Sequence, residues 1–184
     1  MWSWLYQIIN SANTIIIRSE EPFVDWTEEE KNQIQGTAKF FRAHAYRHLV
    51  NLFGDVPLNL AEAGAVIKTD WERTPVTEIR QQMVEDLQFA ADHITGEPNS
   101  TGSNITSWVA KHYLAEVQME LGNNAEAETI LKDVIDNSPY QLVTQRYGVK
   151  SNEPGDAFSD MFVQGNTNRN EGNTENTVSY THLR

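Results

Sequence analysis

The chain has 184 residues, of which 39% are hydrophobic and 22% are charged, and it carries a net charge of −12. This composition is typical of a globular protein with a core of its own and excludes an intrinsically disordered chain. The negative charge argues against nucleic acid as a partner, and the lack of cysteine excludes disulfides, thiolate metal sites and cysteine nucleophiles.

The first predicted helix covers residues 2–18, where apolar residues recur at three- and four-residue intervals. Trp4 lies on this apolar face, so we expect its ring in the core. A second helix is predicted to begin at Thr27, which matches a capping box with Glu30, and to end at Gly54, where glycine permits a left-handed turn. Its apolar stripe comprises Ile34, Ala38, Phe41, Ala45, Leu49 and Leu52.

The next stretch, residues 55–74, shows no regular apolar period and predicts a surface loop. A third helix is predicted to follow, with Thr74 as its cap and Pro75 at its first helical position. Its buried stripe comprises Ile79, Met83, Leu87, Ala90 and Ile94.

Two further helices are predicted on either side of the tight turn at Gly122–Asn124. The fourth covers about residues 104–121, with Asn104 as its cap and Trp108 in the core, and the fifth continues to Ile135. Small residues that allow a close approach are Ala110, Ala115, Ala125 and Ala127. The pattern is typical of a tetratricopeptide-like hairpin, which cannot bury its apolar face alone, so we expect the earlier helices to pack against it.

The composition changes towards the end of the chain, where residues 143–177 are rich in Gly, Asn, Thr and Ser. We therefore predict a helical body over residues 1–142, followed by an irregular, loop-rich segment over residues 143–177. The apolar residues expected to pin this segment to the body are Phe158, Met161 and Phe162.

The second predicted helix carries the most distinctive motif of the chain. From Ala38 to Leu58 the sequence reads AKFFRAHAYRHLVNLFGDVPL. This segment resembles the signature helix of the SusD/RagB family, with its Arg-Ala pair, a Tyr one turn on and a Gly-x-Val-Pro ending. The resemblance continues in three further blocks, at residues 74–91, 108–117 and 125–142. It covers nearly all of residues 2–177, with a departure at Glu116, where the family often has Arg.

This resemblance implies a fold, a location and a function. Family members are all-α proteins with tetratricopeptide-like hairpins and long irregular loops. They face outward from the cell outer membrane, bind oligosaccharide or polysaccharide there, and deliver it to a TonB-dependent, SusC-like transporter. They bind glycans without cleaving them, so the resemblance implies no enzyme activity and no cofactor.

The resemblance also sets expectations for the two ends. Full-length members are longer and begin with a lipoprotein signal and a lipidated Cys. We therefore expect that parts of the protein on both sides lie outside this chain, with the irregular segment leading into the C-terminal part. Residues 178–184 do not resemble the apolar strand expected there, and we interpret them as a non-native tail, similar to translated adapter sequence.

Two other functions remain open from the residues alone. A helical-repeat scaffold that holds a peptide or protein partner would show the same hairpins. A glycosidase would need two carboxylates that face each other across a sugar. The acid-rich runs at Glu20–Glu21 and Glu28–Glu30 instead lie at predicted helix ends, where the second run is favoured by the helix dipole, so we predict that the chain is not an enzyme.

Tryptophans outside the core are the candidate ligand contacts, because a sugar ring stacks on an indole while polar neighbours bind its hydroxyls. Trp71 lies in the irregular loop and is the first candidate for an exposed ring. The polar residues that could bind hydroxyls beside it are Asn59, Asp70 and Arg73. The favoured interpretation for Trp71 itself is nevertheless that its ring folds down onto the helices.

A pair of histidines on the second helix requires separate consideration. His44 and His48 are four residues apart, so they share a face and could bind a metal ion. The favoured interpretation is a polar stripe that hydrogen-bonds to neighbouring helices, and we predict no metal site. The stripe also contains Arg42, Tyr46 and Arg47.

Overall fold

The computed structural model describes residues 1–23, 25–64, 70–99 and 102–177. Its long helices are α1 (Trp2–Arg18), α2 (Glu28–Phe53), α3 (Val76–His93), α4 (Ser107–Glu120) and α5 (Asn124–Asn137). A short helix, α6 (Ala157–Asp160), and two 3₁₀ turns at Gly148–Lys150 and Arg169–Glu171 follow. Over the described residues there is no β-strand, so the predicted all-α class is confirmed.

The five long helices form a row in which each helix packs against the next one along the chain. Three residues, Leu121–Asn123, connect α4 to α5, and a connection this short turns the chain back on itself. The residues buried at the centre of the row include Leu5, Ile9, Tyr46, Leu49, Ile79, Met83, Leu87, Leu114 and Val117. None of the described helices has the length and apolar character needed to cross a lipid bilayer.

Ion pairs between partly buried side chains link α4 to both α2 and α3. Arg47 on α2 lies 3.0 Å from Glu116 on α4. Arg80 on α3 lies 2.9 Å from Glu120, also on α4. Glu116 occupies the position where the family often has Arg, and in this chain its negative charge is paired with the Arg47 guanidinium.

The helix ends agree with the sequence at α2 and differ at α3 and α4. Thr27 and Glu30 form the predicted capping box, and α2 ends before Gly54 as predicted. Gly54 has a positive φ of 71°, which glycine reaches without strain, but its ψ of −131° is not that of the predicted left-handed turn.

Thr74 was predicted to cap α3, but it is occupied in a bridge with Val56. The carboxylate that caps α3 belongs instead to Asp55, on the other side of the loop, and the local sequence pattern does not indicate this partner. The Asp55 Oδ1 accepts a hydrogen bond of 2.9 Å from the Val76 backbone nitrogen.

The prediction that Asn104 caps α4 was also wrong, because Thr106 is the capping residue and accepts from the Val109 nitrogen. The Asn104 side chain instead closes the preceding loop by accepting from the Asn99 nitrogen.

Several apolar residues that were assigned to the core are exposed. Trp4 has 58% of its surface exposed, and Phe41 and Leu52 on α2 are exposed as well. Trp108 is half-buried, with the Lys111 ammonium 4.2 Å from its ring centre. The predictions for Trp4, Phe41 and Leu52 were wrong because the apolar faces of α1 and α2 are wider than the contact that these two helices make.

The segment after α5 is held together by polar contacts. The Arg146 guanidinium binds the Asp160 carboxylate at 2.6 and 3.0 Å. Phe158 and Phe162 are 68% and 70% exposed, so the prediction that they pin the segment to the helical body was wrong. Tyr140 makes a connection instead, because its hydroxyl lies 3.0 Å from the Thr106 hydroxyl and also donates to the Thr177 carbonyl oxygen at 3.3 Å.

The boundaries predicted from the sequence are a separate matter. The division into a body over residues 1–142 and a segment over residues 143–177 stays a prediction. The proposed non-native tail, residues 178–184, lies outside the described residues.

Candidate functional site

An open pocket of about 400 Å³ lies where the first turns of α1 meet the loop between α2 and α3. Its walls are formed by Trp2, Tyr6, Pro57, Asn59 and Trp71. Three of these five residues are aromatic, and its volume is within the range of small-molecule sites. We call it the aromatic pocket.

The two indoles of the pocket are partly open to solvent. Trp2 and Trp71 are 40% and 43% exposed. The Trp2 ring centre lies 5.1 Å from that of Tyr6, one turn further along α1, and 4.9 Å from that of Phe53 at the end of α2. Packing against two rings fixes the plane of the Trp2 indole while leaving part of its surface available for a ligand.

Two tyrosine hydroxyls attach the loop to the helices. The Tyr6 hydroxyl donates to the Pro57 carbonyl oxygen at 2.8 Å. The Tyr46 hydroxyl accepts from the Asn59 nitrogen at 2.6 Å and donates to the Asn59 carbonyl oxygen at 3.2 Å. Burial, and to a smaller extent the neighbouring Tyr46, raises the pKa of Tyr6 well above its ordinary value. Burial also raises the pKa of Tyr46 to about 12. Both phenols therefore keep their protons and remain donors at neutral pH.

A buried polar network supports the same loop from below. Asn13 on α1 is fully buried, and its amide nitrogen donates to the Asn59 and Ala61 carbonyl oxygens, each at 3.0 Å. The Asn13 amide oxygen accepts from Arg42 on α2 at 2.8 Å, and Arg42 also binds Asp86 on α3. Three helices thus determine the position of the Asn59 backbone.

The two ends of the loop meet at an isolated β-bridge. The Thr74 nitrogen donates to the Val56 carbonyl oxygen at 3.0 Å, and the Thr74 hydroxyl accepts from the Leu58 nitrogen at 3.3 Å. This bridge brings the segment that carries Trp71 next to the segment that carries Asn59. The pocket therefore depends on a contact between residues that are distant in sequence.

The Asn59 side chain belongs to the pocket wall and carries an amide nitrogen that can donate a hydrogen bond. Its Oδ1 accepts from the Ala61 nitrogen at 3.0 Å, which fixes the orientation of the amide. Its amide nitrogen makes no hydrogen bond to any described residue. An oriented N–H donor beside exposed indole faces is the combination that a sugar ring requires, because its hydroxyl oxygens accept and its C–H face stacks.

Two of the four candidate ligand residues lie in this pocket. Asn59 and Trp71 line it together, although they are distant in sequence. Asp70 and Arg73 are exposed on the Trp71 segment but do not form its walls. That any of these four residues contacts a ligand stays a prediction.

Trp2 and Tyr6 are the wall residues that sequence reasoning missed. Their spacing of four residues on a predicted helix indicates a shared face, which is a usable signal. The sequence does not indicate that the loop after α2 folds back onto that face.

The two histidines of α2 lie outside the aromatic pocket. Their ring centres are 4.6 Å apart, and no described group of three or more His, Asp or Glu side chains could hold a metal ion. The His44 Nδ1 is buried without a hydrogen-bond partner. Burial, with smaller effects of the His48 and Arg47 charges, lowers the pKa of His44 from 6.5 to about 4.

The polar-stripe interpretation holds for part of the stripe. Arg42, Tyr46 and Arg47 bind Asp86, the Asn59 backbone and Glu116, as described above. His44 does not follow the interpretation, because its ring packs against Phe40 and Tyr113, with ring-centre distances of 6.2 and 5.6 Å.

The acidic run at the start of α2 has a structural use. Glu30 accepts from the Thr27 nitrogen and hydroxyl, and Glu28 pairs with Lys31 at 3.0 Å. Glu20, after α1, accepts from Gln35 at 2.6 Å. These carboxylates stabilise the helix start and the connection between α1 and α2.

Comparison with known proteins places this geometry in context. Residues 1–119 match the profile of the SusD-like family described as starch-binding and associating with the outer membrane. Two SusD-like proteins of Formosa agariphila are 30% and 32% identical over 148 and 139 residues, or 77% and 74% of this chain. The chain spans about a quarter of the length of these curated relatives, 27% and 26%.

Solved structures share the fold. A SusD-like protein from Bacteroides fragilis superimposes with a TM-score of 0.79 over 98% of this chain and 33% of its own, at 18% identity. A SusD superfamily protein from Bacteroides thetaiotaomicron gives a TM-score of 0.70 over 78% of this chain and 33% of its own, at 25% identity. A laminarin-binding SusD-like protein also gives 0.70, over 79% and 32%, at 25% identity.

Proposed function

The chain belongs to the SusD-like family, and from that membership we propose that it is part of a protein that captures oligosaccharide at the bacterial outer membrane. The observation that carries the proposal is the aromatic pocket, in which two exposed indoles lie beside an oriented amide donor. The chain stacks a sugar ring against Trp71 and Trp2 and binds a hydroxyl oxygen through Asn59.

Binding by this pocket needs no chemical step. Stacking on an aromatic face tolerates different sugars, because it uses the C–H surface of the ring, whereas the amide donor selects among hydroxyl positions. Residues 57–61 of the loop are held in place by Tyr6, Tyr46 and Asn13, so little conformational entropy is lost there when a ligand binds. The pocket is therefore suited to capture and release of a glycan.

Two comparisons support a glycan as the ligand. A neighbour in structure is described as a laminarin-binding SusD-like protein. Another, which is 25% identical with a TM-score of 0.70 over 79% of this chain and 30% of its own, was solved with a xylogluco-oligosaccharide. These two ligands define the first probes for this chain.

The transport step is an inference from the family resemblance. Members of this family deliver their ligand to a TonB-dependent, SusC-like transporter, and we propose the same partner for the protein that contains this chain. The description of the family as associating with the outer membrane supports that location. The lipid anchor and the outward orientation belong to the same proposal.

Isothermal titration with laminarin and xyloglucan oligosaccharides tests the function. We expect binding by the wild-type chain, and an affinity about tenfold lower for Trp71→Ala, since one stacking contact accounts for about 1.4 kcal/mol. Trp26→Ala is the matched control, because Trp26 is a similarly exposed indole that does not line the pocket.

Three outcomes would contradict the proposal at different levels. Equal losses of affinity for Trp71→Ala and Trp26→Ala would show that the aromatic pocket does not bind the glycan. Binding of helical peptides with no response to any glycan would favour the helical-repeat scaffold. Cleavage of the added oligosaccharide, lost on replacement of a carboxylate, would indicate an enzyme.

A further inference from the structure

A second concave surface, larger than the aromatic pocket, runs between α1 and α2. It has a volume of about 710 Å³ and is open to solvent. Its apolar walls are Trp4, Ile8, Ala12 and Ile15 of α1 and Ile34, Ala38 and Phe41 of α2. We call it the α1–α2 groove.

The residues that line the groove follow helical spacing on both walls. Trp4, Ile8 and Ile15 are separated by four and seven positions, and so lie on one face of α1. Ile34, Ala38 and Phe41 are separated by four and three positions, and so lie on one face of α2. The other lining residues are neutral and polar: Gln7, Ser11, Gln33 and Thr37. No residue that lines the groove carries a charge, so its surface suits an apolar neighbour.

The shape of the groove favours a helix as that neighbour. Two packed helices with apolar residues at these spacings leave a furrow into which a third helix fits by the usual ridge-into-groove packing. The α1 wall extends from Trp4 to Ile15, about 16 Å or three helical turns at 1.5 Å per residue.

The position of the groove in the fold makes it unusual. The helices pack in a row in chain order, so α1 and α2 form one end of that row. The end of a helical row normally presents a polar outer face to water. The groove at this end of the row instead includes exposed Trp4, Ile15 and Phe41, which is the composition of a covered surface.

We propose that an amphipathic helix from a part of the same polypeptide outside residues 1–184 packs into the α1–α2 groove. The length of the relatives supports this occupant, because residues 1–184 span only 27% and 26% of the two curated SusD-like proteins. A segment of the same polypeptide has a high effective concentration at the groove. Its own apolar face carries residues at positions i, i+3 or i+4, and i+7.

Thiol labelling tests the proposal, because the chain contains no cysteine. Ile15→Cys and Phe41→Cys place one thiol on each wall, and the two variants are independent of each other if one of them fails to fold. Each is prepared in the 184-residue chain and in the longer polypeptide encoded by the same gene, with any other cysteine there replaced by serine. We expect both thiols to react with a maleimide at least about tenfold more slowly in the longer polypeptide.

Glu85→Cys is the control, because Glu85 is an exposed residue of α3 that does not line the groove. Its thiol should react at the same rate in both forms. Three results would overturn the proposal. The groove thiols could be labelled at equal rates in both forms. They could become protected in the short chain when its concentration is raised and its measured mass shows self-association, or they could be protected only when a transporter is added. The second result would assign the groove to another copy of the chain and the third to a partner protein. A gene that ends at residue 184 and begins at residue 1 would also overturn it.

Discussion

Arg42 and Asp86 form a bidentate ion pair in the interior. The Arg42 Nε lies 2.7 Å from Asp86 Oδ2, and the Arg42 Nη2 lies 2.6 Å from Asp86 Oδ1. The pair joins α2 to α3, and the third Arg42 nitrogen binds Asn13 on α1. Both side chains are almost completely buried. One guanidinium therefore joins the first three helices by hydrogen bonds, in addition to their apolar packing.

Removal of Asp86 is expected to be strongly destabilising. Asp86→Ala leaves the Arg42 charge buried without its partner and should lower the free energy of unfolding by about 3–5 kcal/mol. Urea denaturation followed by circular dichroism measures the change. Glu128→Ala is the control, because it breaks the exposed pair with Lys132 and should cost about 0.5 kcal/mol or less. Similar losses for the two variants would show that the buried pair has no special role.

Loss of the Tyr46 hydroxyl should loosen the loop of the aromatic pocket. Tyr46→Phe leaves the Asn59 nitrogen without an acceptor and is expected to cost about 2 kcal/mol, with faster hydrogen exchange at the Asn59 amide. Tyr6→Phe is the comparison, since it removes only one donor to the Pro57 carbonyl and should cost about 1 kcal/mol. Unchanged exchange at Asn59 in Tyr46→Phe would mean that Asn13 alone holds the loop.

The cap of α3 can be tested at Asp55. Asp55→Ala removes the acceptor for the Val76 nitrogen and should destabilise the chain by about 1 kcal/mol. Asp55→Asn retains a side-chain oxygen, so its effect should be smaller. The denaturation midpoints of the two variants measure these losses of stability. A larger loss for Asp55→Asn than for Asp55→Ala would argue against a capping role.

His44 is expected to make stability depend on pH. Because burial lowers its pKa to about 4 in the fold, from 6.5 when exposed, the unfolded chain takes up the proton first as the pH falls. The neutral ring's contribution to stability is present above pH 6.5 and is lost progressively between pH 6.5 and 4. Since the ring is only partly buried, the expected loss is discounted to about 1–2 kcal/mol.

Unfolding curves at pH 7.5, 5.5 and 4.5 for wild type and His44→Gln measure this contribution. The variant should lose less stability than wild type over that range, because it lacks the contribution of His44. The other titrating groups are common to both proteins. His93→Gln replaces an exposed histidine of α3 and should behave like wild type. An identical pH dependence for wild type and His44→Gln would exclude His44 as the source.

The sequence predicted the helices well, because their apolar periods and local stop signals are encoded within each segment. The Thr27–Glu30 capping box is an example, since both partners lie within one turn. The Asp55–Val76 cap could not be predicted in the same way. It joins residues on opposite sides of a loop, and the competing local signal at Thr74 is used by the bridge to Val56.

The candidate site was predicted in part for a related reason. Asn59 and Trp71 were identified from residue type and from their place in an irregular stretch, and both line the aromatic pocket. Trp2 and Tyr6 were not identified as pocket residues, because the return of the loop onto α1 depends on long-range hydrogen bonds. Trp4 was assigned to the core on its apolar period alone, and periodicity does not distinguish a face covered within this chain from one left open.

The bridge between Val56 and Thr74 has a consequence for how the family can diversify. It closes the base of the excursion that carries both Asn59 and Trp71. At the start of this excursion, the carbonyl oxygens of Pro57, Asn59 and Ala61 accept hydrogen bonds from side chains of α1 and α2, so this part cannot change without loss of those bonds. A change in chain length between Ala63 and Trp71 leaves these bonds in place and costs mainly loop-closure entropy, about 0.6 kcal/mol for each doubling. We therefore expect relatives to differ in length there while the helical row remains the same.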